Sequence, residues 1–391
     1  MAEFLDREDV LNELCAPVSQ SQLLNVYGET GIGKSRVLQE ATRKLQANQP
    51  PAFVLHVDME NLKDAADRPK AVLQTLIKQA GDRVGGTWQN PEQVAGLIVA
   101  QLGALTTHTP VYLMVDTTEA LQEDGDFWDW LHKNLTEPLV IDGRVKQIYA
   151  GRIPVSWRRF ELRRTVKMLP LGPITPLAVS RTLVEQVLLQ SNPEFKDVDD
   201  LQSAIDVVLE FSFGHPLLSE KLAGYVAGHW PPAQPLAQFK KTLCEENVTP
   251  YINQSLFENV DALWTEILWW ASVLDWFDPT ILQQYLKRLM PELEDKPDYF
   301  FIHEIARLRK HNTVVWRELE GDRLHGLIRD IVRQCLKTID VNRYRRACQA
   351  AFETFQSIAD EFSEEESYAQ QFQEKAEIYR QQLDMLKETT R

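Results

Sequence analysis

The segment "GETGIGKS", Gly28 to Ser35, has the spacing G-x-x-x-x-G-K-S, that of a loop whose backbone N–H groups cradle phosphates. It follows the apolar run "LLNVY" and precedes a helix-forming stretch, so the positive end of a helix faces the same place. Gly28, Gly31 and Gly33 let such a loop fold back on itself, and Glu29, Thr30, Ile32 and Arg36 complete and flank it. Lys34 would reach the β- and γ-phosphates, and Ser35 would ligate Mg²⁺. "VYLMVD" ends in Asp116, which places a carboxylate at the end of an apolar strand, where it would hold the same Mg²⁺. Glu119, in "DTTE", has two readings: it orients the attacking water, or it is a helix-capping acid. Arg152 ends "VKQIYAGR", where an arginine reads a γ-phosphate. Its other reading is one surface arginine among those of "GRIPVSWRRFELRR", in which Arg158, Arg159, Arg163 and Arg164 are candidates to contact a neighbouring subunit. Phosphate binding alone does not separate a motor from a metabolic enzyme or a switch.

These groups need a scaffold that brings strand ends together. From Leu23 to about Leu171, the runs "LLNVYG", "PAFVLHVDM", "PVYLMVD", "VKQIYAG" and "RRTVKMLPL" alternate with helical stretches near Lys34–Gln46, Arg68–Gln79 and Pro91–Leu105. Continuous apolar strands separated by helices predict a parallel sheet covered on both faces, hence an α/β P-loop domain over 1–172. From 173 to 250, "TPLAVSRTLVEQVLLQS", "DLQSAIDVVLEFSF" and "PLLSEKLAGYVAG" have helical spacing and predict a small bundle. From 251 to 337, helices in "NVDALWTEILWWASVL", "PTILQQYLKRLM" and "DYFFIHEIARLRKHN" precede a hairpin, "TVVWRELEGDRLHG", with "EGD" as the turn. That is the order of a winged-helix domain. Trp264, Trp269, Trp270 and Trp276 fall near helical spacing and read as core packing. The tail, 338–391, predicts an α-hairpin whose apolar stripe lacks a partner.

The formal net charge of −15 speaks against broad binding to nucleic acid or an anionic membrane, though not against a local basic patch. The four cysteines, Cys15, Cys244, Cys335 and Cys348, are far apart and read as reduced thiols. No apolar run approaches the ~18 residues of a membrane span, and "MAEFLDRED" lacks a signal-peptide core. The expectation is a soluble, cytoplasmic protein.

Three further segments carry a family resemblance: "FLDREDVLNEL" with Asp6-Arg7-Glu8, "FGHPLLSEKLA" with Gly214, His215 and Pro216, and "DRLHGLIRDIV" with His325. With the phosphate loop they resemble the signal-transduction ATPases with numerous domains (STAND), which include the NACHT and NB-ARC groups. The resemblance covers about residues 4 to 337, and the order of the motifs is more specific than any one of them. It implies that the box at Arg7 lies along the adenine, that Pro216 packs on the base and that His325 touches the β-phosphate of ADP. It further implies a slow ATPase that is closed with ADP and opens and self-associates with ATP, beside an effector and a sensor that the sequence does not identify. The tail then reads as the possible start of a sensor repeat, in an excised core or a short member. Asp6 stands where many relatives have Gly, and Gly326 where the Met-His-Asp form has Asp.

The competing class is a winged-helix DNA-binding ATPase of the initiator or loader kind. "HEIARLRKHN" carries Arg307, Arg309 and Lys310 where a recognition helix would lie. The acidic total and Glu304 in the same helix count against it. A partner-binding scaffold with a purely structural loop is opposed by the intact Lys34, Ser35 and Asp116.

Overall fold

The computed structural model describes residues 7–81, 90–175, 177–193, 195, 198–258, 260–311, 315–317 and 321–388. The chain forms two compact units, one ending at Gly172 and the other running from Pro173 onward.

The first unit opens with α1 (Glu8–Cys15) and continues through β1 (Leu23–Tyr27), α2 (Lys34–Ala47), β2 (Phe53–Asp58), α3 (Arg68–Ala80) and α4 (Pro91–Leu105). It then runs through β3 (Val111–Asp116), α5 (Gly125–Leu131), α6 (Glu137–Asp142), β4 (Val145–Gly151), α7 (Phe160–Thr165) and β5 (Val166–Pro170). The strands form one parallel sheet in the order β2-β3-β4-β1-β5. Every residue of β3 and β4 is buried, because helices cover both faces. Insertion of β4 between β1 and β3 sets the register Tyr27↔Gly151, so the ends of β1 and β4 lie side by side. Asp58 and Asp116 are register partners at the ends of β2 and β3.

Polar groups buried in this sheet hold its edges and loops. Lys146, on β4, is fully buried, and its Nζ donates to the carbonyls of Glu13 (2.6 Å) and Ala16 (2.7 Å) at the end of α1. The Glu13 carbonyl otherwise receives only a long contact from the Ala16 N–H, at 3.4 Å, so the ammonium caps the helix. Burial pulls the Lys146 pKa down to about 8.

The second unit is helical apart from one hairpin. It comprises α8 (Leu177–Ser191), α9 (Val198–Ser212), α10 (Pro216–His229), α11 (Leu236–Leu243), the short α12 (Thr249–Tyr251), α13 (Ala262–Ala271), α14 (Pro279–Lys287) and α15 (Asp298–His311). The antiparallel pair β6 (Val315–Arg317) and β7 (Asp322–Leu324) follows, then α16 (Gly326–Ile339), α17 (Val341–Glu361) and α18 (Glu366–Glu388). Helices α13 to α15 followed by the hairpin have the winged-helix order. Asp322 of the expected turn belongs to β7, while Glu320 lies outside the described residues. Trp264, Trp269 and Trp270 are buried, and the Arg343 guanidinium stacks 4.4 Å from the Trp270 ring.

The tail departs from the expectation. Its apolar stripe has a partner: Phe355 stacks on Tyr379 at 5.6 Å and 3°, and Trp276 packs against both Phe355 and Phe372. Tyr379 also donates its hydroxyl to the Val273 carbonyl at 3.3 Å. The stripe pairs with an aromatic residue more than sixty positions upstream, a distance that periodicity does not register.

A second departure lies between β3 and β4, where α5 and α6 are joined by a π-helical turn, His132–Thr136. His132 is 1% exposed and stacks on Trp157 at 5.1 Å. Neither ring nitrogen has a hydrogen-bond partner among the described residues. Burial lowers its pKa from 6.5 to about 4, against the opposing pull of Asp129. The unfolded chain therefore binds this proton first on acidification, so stability is present above about pH 6.5 and is lost as pH falls towards 4. The loss amounts to about 3 kcal/mol for this one group. Denaturant melts at pH 7 and pH 4.5 should show His132→Phe losing about 2–3 kcal/mol less than the parent over that interval. An equal loss in both proteins would show that the ring is not the titrating group.

Candidate nucleotide-binding site

The loop Gly28–Ser35 leaves the end of β1 and enters α2 through Gly33, whose φ of 102° lies in the left-handed region open to glycine. Lys34 begins that helix and is only 9% exposed. Its Nζ donates to the carbonyls of Gly28 (2.7 Å) and Glu29 (2.9 Å), so the ammonium is folded back onto its own loop. Burial lowers its pKa; Glu119, Glu29 and Asp116 oppose this, and Arg152 adds to it. Those four side chains thus bear directly on one ammonium, although they come from the loop and from the ends of β3 and β4. Ser35 and Arg36 are exposed at the start of α2, and Glu29 is buried.

Asp116 is 6% exposed at the end of β3. Its Oδ1 accepts from the N–H of Thr117 at 2.8 Å. Thr117 is held at φ 56° and ψ 43°, a left-handed conformation costly for a β-branched residue. The turn it makes delivers Glu119 to β4. Glu119 Oε2 accepts from the Arg152 N–H at 3.0 Å, and Oε1 lies 3.5 Å from Arg152 Nε. Both residues are engaged at the site, so neither is a side chain pointing only at water. Mg²⁺ is a hard cation that takes few protein oxygens and completes its shell with phosphate and water. The buried Asp116 carboxylate and the exposed Ser35 hydroxyl fit that donor set. No group of three or more His, Cys, Asp or Glu residues able to hold a metal occurs among the described residues.

Arg7 immediately precedes α1, and its Nη2 donates to the carbonyls of Gly172 (2.6 Å) and Ile32 (3.5 Å). The structure therefore brings Arg7 and the loop from Gly28 through Gly31 to Ser35 together with Asp116, Glu119 and Arg152 in one unit. Pro216 and His325 belong to the other unit. Pro216 is the first residue of α10, and His215 caps that helix by accepting from the Leu218 N–H at 3.3 Å through Nδ1. His215 Nε2 lies 3.2 Å from the Tyr251 hydroxyl. His325 is half-buried before α16, with Gly326 the first residue of that helix. Its pKa is lowered by burial and by Arg323, against Asp330. Asp6 lies outside the described residues. Of the other arginines, Arg158 pairs with Asp129, Arg159 with Glu137 and Arg164 with Glu161, while Arg163 is exposed.

Asn25 is a buried polar residue that the motif reading passed over. Buried on β1, it accepts through Oδ1 from the Val155 N–H (2.8 Å) and Trp157 Nε1 (3.3 Å), fixing the loop that follows Arg152. Its signal was available: a lone amide inside the apolar run "LLNVY". Beside Glu119 lies a small open cleft of about 60 Å³, bordered by Gln122, Trp128, Pro154 and Arg158.

Residues 18–153 match the family model of the AAA domain. No curated protein matches the sequence. Among solved structures, the chain is similar to the ADP form of the Aeropyrum pernix ORC2 protein, with 13% identity, a TM-score of 0.49, and 86% of this chain and 92% of that one covered. It is similar to Drosophila ORC bound to DNA at 15% identity and a TM-score of 0.43, with 86% and 95% covered. It is also similar to AMPPCP-bound DnaA from Aquifex aeolicus at 14% identity and a TM-score of 0.40, with 86% and 96% covered. At these identities the likeness is one of fold. No helix among the described residues is long and apolar enough to cross a membrane.

The Glu119–Arg152 contact needs a residue without a side chain at 151. A Cβ at Gly151 would collide with the buried Thr118 hydroxyl and come within 3.0 Å of Glu119 Oε2. Gly151→Ala should therefore cost about 1–3 kcal/mol through overpacking. Gly96→Ala, in α4 with nothing within 4 Å of the new Cβ, should be neutral or stabilising by up to about 1 kcal/mol. Thermal melts of the two variants decide the point, and equal stability would mean that β4 yields at its end.

Proposed function

We propose that this chain is a Mg²⁺-dependent P-loop ATPase of the AAA type, with the reaction centre at Lys34, Asp116, Glu119 and Arg152. The observation that carries the reading is the placement of the phosphate loop after β1, of Asp116 at the end of β3 and of the Glu119–Arg152 contact after β4 in one parallel sheet. A triphosphate would replace the Gly28 and Glu29 carbonyls as partner of the Lys34 ammonium, exchanging neutral acceptors for anionic ones. Asp116 and Ser35 would hold Mg²⁺, which supplies charge neutralisation across the phosphates. Glu119 would turn from Arg152 to the attacking water, leaving the guanidinium to meet the γ-phosphate. Release of Glu119 from Arg152 would precede hydrolysis.

Lys34→Ala should lower ATP affinity by about ten- to hundredfold, the worth of one charge-assisted hydrogen bond. Arg152→Ala should weaken ATP by about tenfold more than ADP, since only ATP carries the phosphate it would read. Isothermal titration with both nucleotides tests the pair. Unchanged affinities in Lys34→Ala would sink the assignment.

For the output we place the winged-helix, DNA-binding ATPase of the initiator or loader kind first, with self-association in the ATP state. The AAA-domain match and the winged-helix order of α13 to β7 support it. Arg307 pairs with Asp261 and Glu304, and Arg309 with Asp322, so phosphates would have to displace carboxylates on this helix. The Lys310 side chain lies outside the described residues. DNA affinity should accordingly be modest and fall steeply with salt, by a log–log slope of about −0.9 per phosphate contacted. The STAND switch is the second reading, favoured by the contact of Arg7 with the loop at Ile32. Salt-titrated DNA binding with ATP, beside the ADP affinity of His325→Ala, separates the two. No DNA binding at low salt, together with a tenfold or greater loss of ADP affinity in the variant, would favour the switch.

A further inference from the structure

Arg7 makes a connection that the adenine reading of its motif does not require. Its acceptors are remote in sequence: Ile32 lies inside the phosphate loop, and Gly172 is the last residue of the sheet unit. The helix behind Arg7 is firmly anchored, with Leu11 and Leu14 fully buried and its far end capped by Lys146. Arg7 is thus held in place from behind while its guanidinium spans two carbonyls ahead of it.

The same two segments touch again at the base of the loop. The Leu171 N–H donates to the Tyr27 carbonyl at 2.7 Å, directly before Gly28. A Cβ at Gly28 would collide with the Leu171 carbonyl oxygen. The chain leaving β5 therefore lies against the root of the loop and is tied to its middle through Arg7. The tie is unequal: 2.6 Å at Gly172 is a firm hydrogen bond, while 3.5 Å at Ile32 is at the outer limit of one.

We infer that Arg7 is a strap that couples nucleotide occupancy of the phosphate loop to the exit segment Leu171–Gly172. The inference rests on the ATP-binding reading above. Phosphates draw the Lys34 ammonium away from the Gly28 and Glu29 carbonyls, and the loop N–H groups close around them. That closure takes up the slack at Ile32, and the guanidinium transmits it to Gly172. An arginine suits the task because its planar fork presents several donors in fixed directions, whereas a lysine ammonium is a single point on a flexible stem. Arg7 is on this account a positioning residue for the exit of the chain from the sheet unit.

The Leu171 amide reports the strap directly. Hydrogen exchange of the full chain is measured with and without AMPPNP and Mg²⁺, in the parent, Arg7→Ala and Arg7→Lys. In the parent, the nucleotide should slow exchange both in the loop and, by about tenfold, at Leu171. With AMPPNP raised in each variant until the loop is as protected as in the parent, the effect at Leu171 should fall below about twofold in Arg7→Ala, with Arg7→Lys between the two. Unchanged exchange in β3 verifies that a variant is folded; should Arg7→Ala fail that check, Arg7→Lys carries the comparison. Full nucleotide protection of Leu171 in the folded variant overturns the strap and leaves ATP binding intact. No protection of the loop in the parent overturns the ATP-binding reading and the strap with it.

Discussion

A lysine ammonium withdrawn nine-tenths from water must be satisfied by something, and Lys34 is satisfied by the carbonyls of Gly28 and Glu29. Burying a charge without partners costs several kcal/mol, so the loop cannot be arbitrary once the lysine is placed at the head of α2. It must turn its carbonyls inward at one end and its N–H groups towards an anion at the other. The sheet order follows from the same need. With β4 between β1 and β3, the loop after β1, the carboxylate ending β3 and the arginine ending β4 are brought to one edge. The charges of Glu119, Glu29 and Asp116 then favour the ammonium that burial disfavours.

How much of this was legible depends on the range of the interaction. The central strands β1, β3 and β4 were legible because two-sided burial leaves a continuous apolar signature; the edge strands β2 and β5 are only partly buried, yet all five segments fall where "LLNVYG", "PAFVLHVDM", "PVYLMVD", "VKQIYAG" and "RRTVKMLPL" stand. The phosphate loop was legible because its glycine and lysine spacing is fixed by local backbone geometry. The engagement of Glu119 by Arg152 was not, because it depends on the left-handed turn at Thr117 and on an absent side chain at Gly151. Nor was the π-helical turn that carries His132, since a single extra residue per turn barely disturbs a helical pattern. The tail's apolar stripe was visible while its partner Trp276 was not, for the same reason of range.

The helical unit solves a different problem with a similar device. Among its described residues the only sheet is the two-stranded β6–β7 pair, so polar tips of large side chains tie its helices together. Arg333 donates to the carbonyls of Ser272 and Val273, both at 2.9 Å, and the Tyr285 hydroxyl to that of Trp270 at the same distance. Each reaches a backbone carbonyl at or just past the end of α13. Lys146 does the same for α1 in the sheet unit. In both units a cation from a distant element, Lys146 in one and Arg333 in the other, reaches the carbonyls at the end of a helix without a glycine cap.

The Glu119–Arg152 pair sets the character of the site. Its separation, 3.5 Å between Nε and Oε1, and its partial exposure make it a modest interaction that a phosphate can outbid. The backbone contact is different: the Arg152 N–H to Oε2, at 3.0 Å, is lost only if the carboxylate itself moves. A γ-phosphate arriving at the arginine would take the side chain first and leave Glu119 attached to the β4 backbone. On the proposed reading, binding and hydrolysis would be separable steps, because the arginine could engage ligand before the carboxylate is released. An arrangement of that kind holds a bound triphosphate for longer than it takes to bind it, which is what a device that acts by its nucleotide state requires.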